Sequence, residues 1–126
     1  MNITVNPSDN TLRFSFADRT DFTRDHMLPA TIDIGEEGRL LGLEIDITNS
    51  AGLNLRWPEE AESLVSTDPV ARTHYLAIEP DSGSDALARS VRGTVAVVTD
   101  DADRVAEVIL PRRGAGYEIT YPSGNR

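Results

Sequence analysis

The stretch Ala30–Ile45, ATIDIGEEGRLLGLEI, decides the fold class. Before its glycines, Ile32 and Ile34 fall on one side of an extended chain and Asp33 on the other. After them, Leu41, Leu43, Ile45 and Ile47 share a side, opposite Gly42, Glu44 and Asp46. Alternation with a period of two marks a strand with one buried and one wet face. Between the two runs, Gly35-Glu36-Glu37-Gly38 reads as a hairpin turn, because glycine accepts positive φ. Glu44 then points to solvent, where a charge also discourages edge-to-edge pairing.

Strand signals continue on both sides. Residues 2–17 read as a hairpin: Asn2–Val5, a turn at Pro7-Ser8-Asp9-Asn10, then Thr11–Ala17 with Leu12, Phe14 and Phe16 on one side. Residues 18–28 are polar and read as a loop. In the middle, Trp57–Val65 has a proline and glutamates placed for the start of a short helix. Residues 49–72 read as a connector containing that helix. Strands return at Tyr75–Ile78, Thr94–Val98, Val105–Leu110 and Tyr117–Tyr121, with Ala106, Val108 and Leu110 sharing a face. A polar turn is expected at Asp81–Asp85, a helical turn at Ala86–Arg89 and a loose tail in PSGNR. The predicted core is Leu12, Phe14, Phe16, Ile32, Ile34, Leu43, Ile45, Val95, Val97 and Val108.

The two halves resemble each other. An offset of 63 sets Ile32 and Ile34 on Val95 and Val97, and Glu44 on Glu107. A looser register, with a longer second turn, pairs Arg39 with Arg104 and keeps the same face inward. Repeated units of this size usually cover one another's apolar faces. The expected architecture is a single α+β domain, mostly antiparallel β. It has two pseudo-symmetric repeats (1–48 and 73–126) sharing one core, joined by the connector 49–72 with its short helix.

Residues DNTLRFSF and PATIDIGEEGRLLGLEI resemble the small bacterial and archaeal family called DUF2283. The matching residues are Asp9, Leu12, Phe14, Asp33, Gly38, Arg39, Leu40, Gly42, Leu43, Glu44 and Ile45. The resemblance covers residues 9–47; residues 73–110 read as a degraded copy lacking the Gly-Arg and Gly-Ile-Glu-Ile core. It implies a small β-rich α+β module and brings no activity with it.

Composition excludes several functions. A net charge of −9 repels nucleic-acid backbones, and the densest basic pair is only Arg112–Arg113. No run approaches the roughly 18–20 apolar residues of a membrane-spanning helix. MNITVNPSDN holds neither a basic nor a long apolar signal region, which predicts a cytoplasmic protein. The absence of cysteine excludes disulfides, thiol catalysis and cysteine-ligated metals. All twelve basic residues are arginine, as in a high-GC genome or a halophile.

Candidate chemistry is sparse. His26, with Asp25, and His74 could meet through the repeat and bind a metal, but isolated histidines are more often surface or hydrogen-bonded residues. Asp100, Asp101 and Asp103 lack the glycine and distal glutamate of a calcium loop and read as a hairpin turn. There is no Gly-x-Ser-x-Gly, P-loop or dinucleotide fingerprint. Asp33, Glu44 and Glu107 are outward carboxylates that a hydrolase could pair. Trp57 caps the core or lies on a partner surface. No catalytic, cofactor-binding or metal residue is therefore assigned, and no cofactor is expected. The sequence favours a non-catalytic binding or interaction module, monomeric or homodimeric, with a protein partner possible. Two alternatives stay open: an antitoxin-like acidic partner of a basic toxin or nuclease, and a hydrolase using the outward carboxylates.

Overall fold

The computed structural model describes residues 2–50, 52–78 and 87–120, without the side chains of Glu37, Leu87 and Ala88. Eight strands form one curled antiparallel sheet. They are β1 (Asn2–Asn6), β2 (Thr11–Ser15), β3 (Arg24–Gly35), β4 (Leu40–Asp46), β5 (Val65–Asp68), β6 (Thr73–Ala77), β7 (Leu87–Thr99) and β8 (Val105–Pro111). The spatial order is β1-β2-β8-β7-β3-β4-β6-β5. A small ribbon of β9 (Arg113–Gly114) and β10 (Tyr117–Glu118) follows.

The core lies on the concave face. It draws Leu12 and Phe14 from β2, Leu28, Ala30, Ile32 and Ile34 from β3, and Leu43 and Ile45 from β4. Leu76 comes from β6, Val95 and Val97 from β7, and Val105, Val108 and Leu110 from β8. Of the ten residues predicted as core, all are buried except Phe16, which is partly buried. Residues 53–57 cross the concave side. Leu53 and Leu55 enter the core, Arg56 bridges to Arg104, and the Trp57 ring stands edge-on to Phe16, 6.0 Å away.

The strand order has a twofold symmetry. Exchanging β1–β4 with β5–β8 reproduces the same order read backwards. Local details follow it. Asn10 and Arg72 both have positive φ (56° and 55°) in the turns after β1 and β5. Before each stands a proline, Pro7 or Pro69. Asn6 Oδ1 accepts from the Ser8 amide, as Asp68 Oδ1 does from the Val70 amide. In the β3–β4 and β7–β8 turns, Gly38 and Asp103 share positive φ (77° and 61°). The Gly35 amide donates to the Arg39 carbonyl, as the Asp100 amide does to Arg104. The offset is therefore 62 for β1–β2 against β5–β6 (Asn10 to Arg72), and 65 for β3–β4 against β7–β8 (Gly38 to Asp103). The second is the register that pairs Arg39 with Arg104. It sets Glu107 on Gly42, and Glu44 on Ile109.

Several expectations are corrected. The chain is not α+β and has no connecting helix: residues 57–65 hold only a 3-10 turn at Glu59–Ala61. Pro58 is extended, Trp57 is fixed between rings, and Val65 already pairs with Leu76 in β5. Those anchors leave too few residues for a helix nucleus, which is marginal below about 12–15 residues without packing. β5 thus falls inside the span read as a connector. Residues 24–28 are strand, not loop, because β3 pairs with β7 as far as Arg24↔Thr99. Residues 87–89 are also strand rather than a helical turn. Leu41 leaves the inward phase because a bulge at Asp33/Ile34 brings Leu40 opposite Ile34; Ala106 is displaced likewise by the bulge at Val98/Thr99. The last main-sheet strand is β8, since Tyr117–Glu118 pairs only in the small ribbon. The turn expected at Asp81–Asp85, together with Ala86 and the tail after Thr120, lies outside the described residues.

Candidate functional site

β6 places alternate residues on opposite faces, and His74 falls on the core side between Ile45 and Thr67. It is 6% exposed. The Trp57 indole N–H donates to His74 Nδ1 at 3.1 Å, with the Thr67 hydroxyl 3.2 Å from the same atom. An indole nitrogen can only donate, so Nδ1 is unprotonated and the neutral ring carries its proton on Nε2. Burial, and secondarily the Arg72 charge, push the His74 pKa below its ordinary value. The free N–H is then the polar atom that His74 can offer its surroundings.

Those surroundings are an open cleft of about 350 Å³ between β5, β6 and the crossing segment. Ile47, Leu55 and Pro69 give it apolar walls; Asn54, Thr67, Asp68, Arg72 and His74 give it polar ones. Arg72 donates to the Leu53 carbonyl at 3.0 Å, which fixes its guanidinium. The volume lies at the lower end of small-molecule sites, and the mixture of walls is typical of them.

The symmetry-related place in the other half is built differently. Leu12 stands where His74 does, fully buried, and Val5 stands where Thr67 does. Tyr117, 7% exposed, packs on the core there and donates its hydroxyl to the Pro111 carbonyl.

The convex face holds the carboxylates singled out from sequence. Asp33 accepts from the Tyr75 hydroxyl at 2.9 Å and from the Ser90 hydroxyl at 2.7 Å, one to each oxygen. Burial, then the Asp33 bond, raise the Tyr75 pKa. Tyr75 lies across Gly42, where any Cβ would overlap its phenol ring. Glu44 is exposed and sits diagonally from Asp33, at about 7–8 Å by ordinary sheet geometry. Glu107 also has convex phase but is only 5% exposed. It accepts from Arg19 Nε at 2.7 Å and from the Ser15 hydroxyl at 3.2 Å, with Arg13 at 3.5 Å. The Glu107 bond is the main reason the Arg19 pKa is raised. Glu107 stands three strand spacings from Glu44, roughly 14 Å, and about 20 Å further along the sheet. The three acids therefore form no common site.

Nor do the histidines meet. His26 faces Thr99, whose hydroxyl is 2.9 Å from Nε2. It lies two strands and four residues from the level of His74, about 10 Å across and 13 Å along. Among the described residues no group of three His, Cys, Asp or Glu could hold a metal ion. Asp100 caps its own turn by accepting the Ala102 and Arg104 amides, and the Arg104 bond is the first cause of its lowered pKa. Among the described residues, no helix is long and apolar enough to cross a membrane.

Sequence reasoning passed over Asn54, Thr67, Asp68 and Arg72, which sit in the stretch read as a connector. A usable signal existed: VSTDPVARTHYLAI aligns with ITVNPSDNTLRFSF through its proline and threonine, and this sets His74 against an apolar residue. No family model, curated protein or solved structure matches the chain.

Proposed function

We propose that the protein is a non-catalytic binding module and that it binds through the cleft beside His74. The observation that carries this is the exchange of Leu12 for His74 at matching positions of one symmetric sheet. The fold does not require histidine there, since leucine fills the same place completely in the other half. Histidine in place of leucine instead gives the wall of an open cleft a polar N–H that a ligand can use. The DUF2283 resemblance is compatible with such a module. The hydrolase reading draws less support. Both oxygens of Asp33 accept hydroxyl protons, and Glu107 is held by Arg19 and Ser15, so neither is placed as a free base.

The test is a fragment screen read by amide chemical-shift changes. Thr67, Arg72 and His74 are expected to respond together, and His74→Leu should abolish the response while the spectrum stays folded. Responses confined to the convex face would overturn the reading. They would instead favour an acidic docking surface for a basic protein, since Asp33, Glu44 and Asp46 share that face near Arg92.

A further inference from the structure

We infer that the cleft takes a free α-amino acid with an aliphatic or thioether side chain. This rests on reading the cleft as the binding site. Asp68 and Arg72 both line it, and neither appears in the ion pairs formed among the described residues. Opposite charges in one small cleft would normally neutralise each other. Here each is held by backbone instead. Asp68 Oδ1 accepts the Val70 and Ala71 amides, leaving Oδ2 for another donor. One terminal nitrogen of Arg72 donates to the Leu53 carbonyl, leaving its other N–H groups for another acceptor. The side chains are thus positioned before any ligand arrives, which lowers the cost of binding one.

A ligand complementary to the cleft meets both charges. An anion alone would meet the Asp68 carboxylate, a cation alone would meet the Arg72 guanidinium, and an uncharged molecule would draw on neither. A zwitterion that carries its ammonium and its carboxylate on one carbon answers all three objections. Its carboxylate accepts from Arg72 and from the free N–H of His74, and its ammonium donates to Asp68. The apolar body is left for Ile47, Leu55 and Pro69. About 350 Å³ has room for a leucine or methionine.

The experiment is calorimetric and chemical-shift titration with L-leucine, 4-methylpentanoate and 3-methylbutylamine, the last two lacking the ammonium and the carboxylate respectively. L-leucine is expected to shift Thr67, Arg72 and His74, and to bind at least ten times more tightly than either analogue. Two variants preserve the fold. Asp68→Asn keeps the oxygen that caps the turn, and Arg72→Asn introduces the residue that holds the matching positive-φ position at Asn10. Each is expected to weaken L-leucine at least tenfold, Asp68→Asn with an unchanged unfolding midpoint and Arg72→Asn with the chain still folded although it loses the bond to the Leu53 carbonyl. Equal binding of an analogue, or an Asp68→Asn variant with full affinity, overturns the amino-acid inference. If uncharged fragments occupy the cleft and L-leucine does not, that inference falls and the binding reading stands. If neither does, both fall.

Discussion

The two halves of the sheet solve one packing problem in two ways, and the solutions should be exchangeable. On the convex face, Tyr75 lies across Gly42. At the matching place Arg13 lies beside Glu107. Removing Glu107 as Glu107→Gly deletes a charge-assisted bond from Arg19 and one from Ser15. Bonds to charged groups contribute about 1.5–3 kcal/mol, toward the lower end here because Arg19 is 41% exposed. Glycine adds about 0.5–1 kcal/mol of backbone freedom in the unfolded chain. The single variant should therefore lose about 3–4 kcal/mol. Arg13→Phe alone forces a ring against the Glu107 side chain and should lose about 1–3 kcal/mol. The double variant rebuilds the ring-over-glycine arrangement. Phenylalanine is chosen over tyrosine because Val98, not an acid, stands where Asp33 does, and a phenol there would lack its acceptor. The double variant should be more stable than the sum of the singles by at least about 1 kcal/mol. Urea unfolding followed by the fluorescence of Trp57, the chain's one tryptophan, measures all four proteins. Losses that simply add within about 0.5 kcal/mol would refute the equivalence of the two sites.

His74 gives a pH prediction with a definite sign. Its folded pKa lies below the ordinary 6.5, so as pH falls the unfolded chain takes the proton first. The stability it contributes is complete above pH 6.5 and declines as pH drops below that value, by at most about 1.4 kcal/mol per pH unit. Urea midpoints at pH 7.5 and 5.5 should differ for the native protein and nearly coincide for His74→Leu; a native protein without the difference would contradict the burial of a neutral ring. Asp46, whose pKa is lowered chiefly by the Thr48 hydroxyl, acts in a separate window, losing its contribution only as pH falls below 3.8. Leu43→Ala should cost about 2–5 kcal/mol because Leu43 is fully buried between Ile32 and Leu76; a loss under 0.5 would mean β4 is turned over. Gly38→Ala combines a positive φ with a Cβ 2.8 Å from the Glu118 carbonyl, and thermal unfolding should show a loss of about 1–3 kcal/mol.

Alternation carried the strands because it reports burial directly. Ile32, Ile34, Leu43 and Ile45 announce their face, and Glu44 its opposite, without knowledge of any partner. What alternation does not encode is a bulge. The single extra residues that displace Leu41 and Ala106 are fixed by pairing between strands, and on paper they look like continuous apolar runs. The expected helix at Trp57–Val65 failed for a related reason. Its proline and glutamates fit a helix start locally, but ring contacts at Trp57 and pairing at Val65 decide the backbone. Glu107 was legible as convex and not as buried, since the arginines that enclose it come from residues 13 and 19. The cleft was the least legible feature. Its walls come from Ile47 after β4, from β5, β6 and the turn between them, and from the crossing segment, and no local pattern joins Asn54 to Asp68.

The symmetry also separates what the fold needs from what it merely permits. Features present in both halves answer to the backbone: the prolines at 7 and 69, positive φ at 10 and 72 and again at 38 and 103, and bulges in both long hairpins. Any residue able to hold those geometries serves, which is why an arginine and an aspartate can stand where asparagine and glycine do. Differences at matching positions are of two kinds. Arg13 with Glu107 and Tyr75 with Gly42 are alternative fillings of the same surface, although Arg13 Nε is buried there with no hydrogen-bond partner among the described residues. Leu12 against His74 is not of that kind. Leucine completes its half of the core with no polar atom, whereas histidine brings one nitrogen bonded to Trp57 and a second polar nitrogen into the wall of the cleft. The same half departs further from apolar filling, with Thr67 for Val5 and with Asp68 and Arg72, which form no ion pair among the described residues, in the cleft wall. These departures converge on one cleft, and the ligand proposed for it would be their common cause.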